Sequence, residues 1–552
     1  MRSTGMATSR DSLACTKFFE GRAALIVEEK RQRSGIMDHD HEFREALTPI
    51  AQRASAIVSR LRHEERTSIW KTQGQESHEL FPGMMFNAAK SHMEGTRLWE
   101  IVRKMPKGAL LHAHLGATVD LEWVFRTALE TPGMCISSST RLDSAATRQN
   151  AMVKFSINKA NYKKSSSIWS PYYTPESLIP IEDAASTFPD GPGGREAFVQ
   201  WMKDCCSITQ DESLQHHLGV DDVWKKLQNA FVILCPIIYY EPVMRAFLRQ
   251  LFRTLLEDGV RWVELRTVFI TPFLLEGEES PPTSRSQDLA RVFTEEIAKF
   301  RSEEEGFWGA RFIWTAMRGG NRTQILDDMK QCIEIKKSFP ELISGYDLVG
   351  QEDLGRTLHD LIPELIWFKE ACTTAGVEIP FFFHAGECLG DGDETDQNLF
   401  DAVLFGTRRI GHGFSLYKHP LLIDMVKEKN ILIESCPISN EVLRYTASIL
   451  SHPLPALLAR GVKAALSNDD PALLGQGTSG VTHDFWQALQ GWENLGLEGL
   501  WSAFQDQTEQ EWLRDVEAGT QGGGIKAKRM QQWATDWETF CQWVVAEFGE
   551  KI

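Results

Sequence analysis

Ala109-Leu110-Leu111-His112-Ala113-His114-Leu115 is a short apolar run that closes on two histidines. The same design recurs down the chain. Ile379-Pro380-Phe381-Phe382-Phe383 runs into His384, Arg408–Gly413 carries His412, and Lys463–Asn468 runs into Asp469-Asp470. Four further β-branched or aromatic runs, Arg261–Val268, Ala310–Met317, Ile343–Gly350 and Ile431–Cys436, complete eight candidate strands. Amphipathic stretches such as Arg322–Ser338, Leu358–Ala375, Thr395–Leu404, Pro420–Lys429 and Pro453–Ala459 fall between the later ones. Alternation of this kind is the mark of βα units. Eight of them predict an α/β fold, a closed (β/α)8 TIM barrel rather than an open doubly wound sheet. No G-x-G-x-x-G or G-x-x-x-x-G-K-[ST] follows any strand, so a dinucleotide or P-loop site is unsupported.

Working outward, residues 1–100 read as a helical N-terminal extension. Phe43, Leu47, Ile50, Ala54, Ile57 and Leu61 make a narrow apolar stripe. It suits packing on the chain's own body or a homodimer contact through the N-terminal helices. The barrel is expected over 101–520. About 145 residues separate its first two strands, where one helix and its turns need roughly 30. The excess, 135–219, is rich in turn signals such as Ser165-Ser166-Ser167 and Pro189-Asp190-Gly191-Pro192-Gly193-Gly194. It reads as a subdomain inserted on the first strand-to-helix loop, at the mouth. Gly522-Gly523-Gly524 reads as a hinge before a C-terminal helix over 525–552, whose Trp533, Trp537, Phe540, Val544 and Phe548 share a face.

Composition narrows the function. The 552 residues are 42% hydrophobic and 24% charged, an ordinary globular balance. The net charge of −17 repels phosphate backbones, which disfavours nucleic acid and anionic membranes as partners. No window holds the roughly 20 apolar residues of a spanning helix. The first residues lack the apolar core of a signal peptide, so a cytoplasmic location is expected. Ten scattered cysteines without a C-x-x-C pair argue against a zinc ribbon or a disulfide scaffold. Asn321-Arg322-Thr323 is a single glycosylation sequon of chance frequency.

The chemistry gathers at strand ends. His112 and His114, two apart, project to the same side of a strand. His384, His412 and the pair Asp469-Asp470 fall at further strand ends of the same barrel mouth, and three imidazoles with one carboxylate from such a set suit Zn²⁺ with room for water. A bound metal would lower the pKa of that water toward ~7. Glu387, within His384-Ala385-Gly386-Glu387, is placed to face both water and substrate and to donate a proton to a ring nitrogen. His412 would orient or deprotonate the water, or be a further ligand.

Met105-Pro106-Lys107-Gly108-Ala109-Leu110-Leu111-His112-Ala113-His114, Gly345-Tyr346-Asp347-Leu348-Val349-Gly350, His384-Ala385-Gly386-Glu387, Arg409-Ile410-Gly411-His412-Gly413, Cys436-Pro437-Ile438-Ser439-Asn440 and Ser467-Asn468-Asp469-Asp470-Pro471 resemble, in order, the motifs of the adenosine deaminase superfamily. The wording is most similar to the adenosine deaminase-related growth factor branch. The resemblance implies one Zn²⁺ on His112, His114, His384 and Asp469, with Glu387 protonating purine N1 and His412 orienting and activating the water. It implies Asp470 at N7, the Gly350 backbone at N3 and Trp224 near the ribose. The implied substrate is a purine nucleoside deaminated at C6 to a 6-oxo product. The H-x-E…P-C-x-x-C signature of the base-editing zinc deaminases is absent.

Two positions depart from the pattern. His114-Leu115-Gly116-Ala117 carries Gly116 where the family places an acid for a sugar hydroxyl, which is expected to open space and alter the sugar preference. Met317 stands where growth-factor relatives put a polar group. The alternatives are a deaminase of another purine, as base or nucleotide, and a signalling or receptor-binding protein on a deaminase scaffold.

Overall fold

The computed structural model describes residues 13–36, 47–70, 80–149, 151–158, 167–269, 271–278, 285–492 and 525–549. Eight strands form the barrel: β1 (Gly108–His114), β5 (Val260–Thr267), β6 (Gly309–Met317), β7 (Ile343–Val349), β8 (His384–Ala385), β9 (Arg409–His412), β10 (Leu432–Ser435) and β11 (Ala464–Leu466). They pair in parallel as β1-β5-β6-β7 and β8-β9-β10-β11. Two seams close the circle. Tyr346 bridges Phe381 through Tyr346 N–H to Pro380 O (2.9 Å) and Phe382 N–H to Tyr346 O (3.0 Å). Ala113 bridges Asp469 through His114 N–H to Asp469 O (3.0 Å) and Asp469 N–H to His112 O (3.2 Å). The fold is the TIM barrel expected from the alternation.

β8 is shorter than the expected Ile379–Ala385. Pro380 has no N–H to give a neighbour, so pairing there shrinks to the single bridge at Phe381. Helices match more closely: Arg322–Ser338 is as expected, and Ile362–Ala375 starts later than expected, with Pro363 in its first turn.

Along β5, Trp262, Glu264 and Arg266 alternate onto one face, as do Leu432 and Glu434 on β10. The barrel interior is therefore layered. Leu111, Leu432 and Ala465 form an apolar plug with Ala109 and Trp262. Next comes an ionic layer, with Arg409 on Glu264 (2.7 Å) and Glu434 (2.5 Å), and Arg266 on Glu434 and Asp347 (2.7 Å each). Histidines follow at the mouth.

The insertion starts later in the unit than expected. The helix Leu121–Glu130 follows β1, and only then come β2 (Met134–Ser138), β3 (Val153–Ile157) and β4 (Ile179–Pro180), an antiparallel sheet ordered β3-β2-β4. Its far end still reaches the mouth: Ile208 N–H donates to Leu473 O, and Arg444 holds the Glu212 and Gly219 carbonyls and Asp222. The chain returns through helices Gly219–Ile238 and Glu241–Glu257 to β5.

The described part of the apolar stripe packs against the chain's own C-terminal helix. On helix Pro49–Ser68, Ala51, Ala54, Ile57, Val58 and Leu61 are buried, and the helix lies along Ile525–Phe548. Thr48 Oγ1 donates to Glu538 (2.9 Å) and Arg60 to Phe548 O (3.1 Å). The C-terminal helix buries Trp533, Trp537, Phe540 and Val544 under the strands' N-terminal ends, where Trp533 Nε1 donates to Pro106 O (3.0 Å). Phe43 and Gly522-Gly523-Gly524 lie outside the described residues. Among the described residues no helix is long and apolar enough to cross a membrane.

Candidate active site

At the mouth, one nitrogen each of His112, His114 and His384 and one oxygen of Asp469 lie within 4.8 Å of one another. Two of the imidazoles are set by a carboxylate behind them. His384 Nδ1 meets Asp347 Oδ2 at 2.6 Å, and His384 N–H donates to Asp347 Oδ1 (2.8 Å). His112 Nδ1 meets Glu434 Oε2 at 2.9 Å. A carboxylate behind Nδ1 fixes the proton there and turns the Nε2 lone pair toward the mouth, the outer arrangement of metal-binding histidines. Burial, above all, pushes the His384 imidazole down to about 3, so it is neutral and able to ligate. Burial alone would raise Asp347 and Glu434. His384 and Arg266 reverse this for Asp347, and Arg266, Arg409 and His112 for Glu434, holding both well below the usual carboxylate range.

Asp469 has φ +57 and is turned so that Oδ1 faces His112 Nε2 (3.3 Å) and His114 Nε2 (3.2 Å), while Oδ2 accepts from Ser439 Oγ (2.7 Å). His412 has φ +62. Side chains with a Cβ rarely adopt such angles, and strain of this kind persists where the surroundings over-determine it. Gly411 is required beside it: a Cβ there would lie 2.9 Å from His112 Cε1. Among buried polar atoms without a hydrogen-bond partner are His112 Nε2, His412 Nε2, Asp469 Oδ1, Glu387 Oε1 and Asp470 Oδ1. Buried polar atoms are normally paired. Their convergence here, on a donor set of imidazoles and a carboxylate, fits a metal ion with a polar ligand beside it. A second grouping, His112, His412, Asp469 and Cys436, shares two of these donors.

Glu387 is fully buried in this cluster, 3.4 Å from His412 Nδ1 through Oε1. Its backbone is pinned by Glu352, which accepts from Glu387 N–H (2.9 Å), Gly386 N–H (3.3 Å) and Asn398 Nδ2 (2.8 Å). Burial, then the charges of Asp469, Glu352 and Asp470, pushes its pKa well above the ordinary value. The direction favours the protonated acid over the carboxylate. Asp470 is pushed the same way, by burial and then by Asp469. His412 Nδ1 faces Asn440 Nδ2 (3.3 Å), whose Oδ1 faces His452 Nε2 (3.0 Å), and Leu454 N–H donates to His452 Nδ1 (3.1 Å). Read from the backbone inward, that chain puts the His452 proton on Nε2, aims the Asn440 amide N–H at His412 Nδ1, and leaves the His412 proton on Nε2.

A family model described as Adenosine deaminase matches residues 207–516, and Adenosine deaminase 2-A of Danio rerio is 31% identical across 77% of this chain and 79% of its own length. The chain belongs to the adenosine deaminase family. It is a deaminase, an enzyme of the hydrolase class. Adenosine deaminase 2 of Sus scrofa is 28% identical over 98% of this chain and 95% of its own. Among solved structures, adenine deaminase from Arthrobacter aurescens covers 78% of this chain and 99% of its own at 18% identity, with a TM-score of 0.44.

The structure also places the remaining positions expected from the sequence. Gly350, at φ +104, ends β7 where only glycine is comfortable. Trp224 is buried on helix Gly219–Ile238 and donates Nε1–H to Tyr445 OH (2.8 Å). Gly116 does not open space as expected. A Cβ there would meet Cδ1 and Cε1 of Phe231 at 3.3 Å, so an aromatic ring already fills the place. Asp347, Glu352, Glu434, Ser439 and Phe231 join the site without having been expected there, although Asp347 and Ser439 stand inside two of the sequence motifs. Lone acids in apolar runs, Glu434 in Ile431-Leu432-Ile433-Glu434 and Asp347 in Ile343–Gly350, were the available signals. Phe231 had none, because it arrives from a helix far along the chain.

Proposed function

We propose that this deaminase removes the 6-amino group of a purine nucleoside by hydrolysis, with one Zn²⁺ per chain on His112, His114, His384 and Asp469. The observation that carries the reading is the buried Glu387, 3.4 Å from His412 and beside a cluster of four metal donors, with its pKa pushed upward. When bound, the ion supplies a Lewis acid that brings the pKa of water near ~7. Glu387 holds the proton for the ring nitrogen N1, which makes C6 electrophilic. Asp470, whose pKa is also pushed upward, faces N7, and the Gly350 backbone meets N3. His412 directs its Nε2–H into the reaction space. One water is consumed: its oxygen stays on C6 and the amino nitrogen leaves as ammonia.

The rim of the mouth supports an uncharged substrate. Asp353 is exposed at the rim and its pKa is pushed up to about 6, first by partial desolvation and then by Glu352, Asp393 and Asp221. A phosphate would meet these acids. Incubation with a 6-aminopurine nucleoside is expected to give the 6-oxo nucleoside and equimolar ammonia, read by mass spectrometry and ammonia assay. The 5′-monophosphate and the free base should turn over more slowly. Faster turnover of the monophosphate would move the reading to nucleotides. We also infer a cytoplasmic location; cell fractionation tests it, and recovery of the protein outside the cytoplasm would overturn it.

A further inference from the structure

The two ends of the mouth are built from different material. Around the metal donors the groups are polar and buried: Glu387, His412 and Asp470. Three apolar groups stand beside them at the strands' C-terminal ends, on the side that the pose proposed above gives to the sugar. Phe231 is packed on Gly116, its ring edge-on to His114 with centroids 6.4 Å apart. Met317 ends β6 with 48% exposure, and its methyl carbon lies 3.7 Å from where a Gly350 Cβ would be. Trp224 has given its only polar hydrogen to Tyr445, so it offers ring carbon alone. The polar acceptors lie farther out on the rim: Asp221, whose Oδ1 takes a hydrogen bond from Gln351 Nε2 (2.5 Å), and Asp353.

We propose that the preferred substrate is a 6-aminopurine nucleoside whose sugar carries hydrogen, alkyl or thioether, in place of a hydroxyl, at the position facing Phe231 and Met317. The inference rests on the function proposed above and names its substrate class. A hydroxyl pressed against Phe231 leaves water and finds no partner. Hydrogen or a thioether at that position loses nothing on entry and buries apolar surface. Asp221 and Asp353 remain to accept from the sugar's other hydroxyls. The discrimination has a natural ceiling, because an apolar pocket rejects an added hydroxyl by only about a hundred-fold.

The test is steady-state kcat/KM of the full zinc-loaded chain on adenosine, 2′-, 3′- and 5′-deoxyadenosine and 5′-methylthioadenosine. At least one modified nucleoside is expected to exceed adenosine by about ten- to a hundred-fold. Phe231→Ser should bring that ratio toward one, and Phe231→Leu should keep it. Met317→Gln, at a half-exposed position, should narrow it independently. The ratio compares two substrates on the same protein, so partial unfolding of a variant does not move it. Adenosine turned over as well as or better than all four others overturns the preference while leaving the deaminase reading intact. A ratio indifferent to both Phe231→Ser and Met317→Gln also overturns it. Deamination of none of the five overturns the proposed function and the preference together.

Discussion

Glu387→Gln is expected to lower kcat by about 10²- to 10⁴-fold while leaving the fold and the bound metal in place. The amide keeps the size of the side chain, and its backbone anchors on Glu352 are untouched. What is lost is the proton. Wild-type activity should also fall as pH rises through the Glu387 pKa, which burial and then Asp469, Glu352 and Asp470 place above the ordinary carboxyl range. The Gln variant should lack that limb. The check is a kcat–pH profile for both proteins alongside metal analysis. Retention of wild-type kcat with full metal content would remove Glu387 from the chemistry.

Glu434→Ala should be the most destabilising single change in the barrel interior. Its carboxylate accepts from Arg266 and Arg409 and backs His112, all buried. Removing one partner of a buried ionic cluster strands the others and costs about 3–5 kcal/mol. The pH dependence has a definite sign. Folding depresses the Glu434 pKa, so its contribution is full above the unfolded value of about 4.3 and is lost as pH falls toward the folded value. Wild-type stability should therefore drop on acidification below that point, and the variant should be weaker at neutral pH with a shallower acid slope. Urea unfolding at several pH values measures both. A variant as stable as wild type at pH 7 would contradict the layered interior.

Much of this fold was legible because strand ends carry the chemistry. His112, His114, His384 and Asp469 each follow an apolar run, and the structure brings their donor atoms together. Helix Arg322–Ser338 was readable to the residue because Asn321 and Gln324 form a capping box. Groups that act across the barrel were less legible. Asp347 and Glu434 look like isolated acids in strands until the closed sheet sets them behind His384 and His112. Phe231 shows the limit best. Its ring occupies the space beside Gly116 only because helix Gly219–Ile238 returns to the mouth after the insertion, a contact that local sequence does not encode.

The most direct measurement is a titration of Zn²⁺ into the metal-stripped full chain, reading ammonia release from a 6-aminopurine nucleoside. The arrangement of His112, His114, His384 and Asp469 predicts no release without metal and a linear rise that saturates at one ion per chain. Full activity in the stripped chain, or none at any zinc concentration with every nucleoside offered, would contradict it.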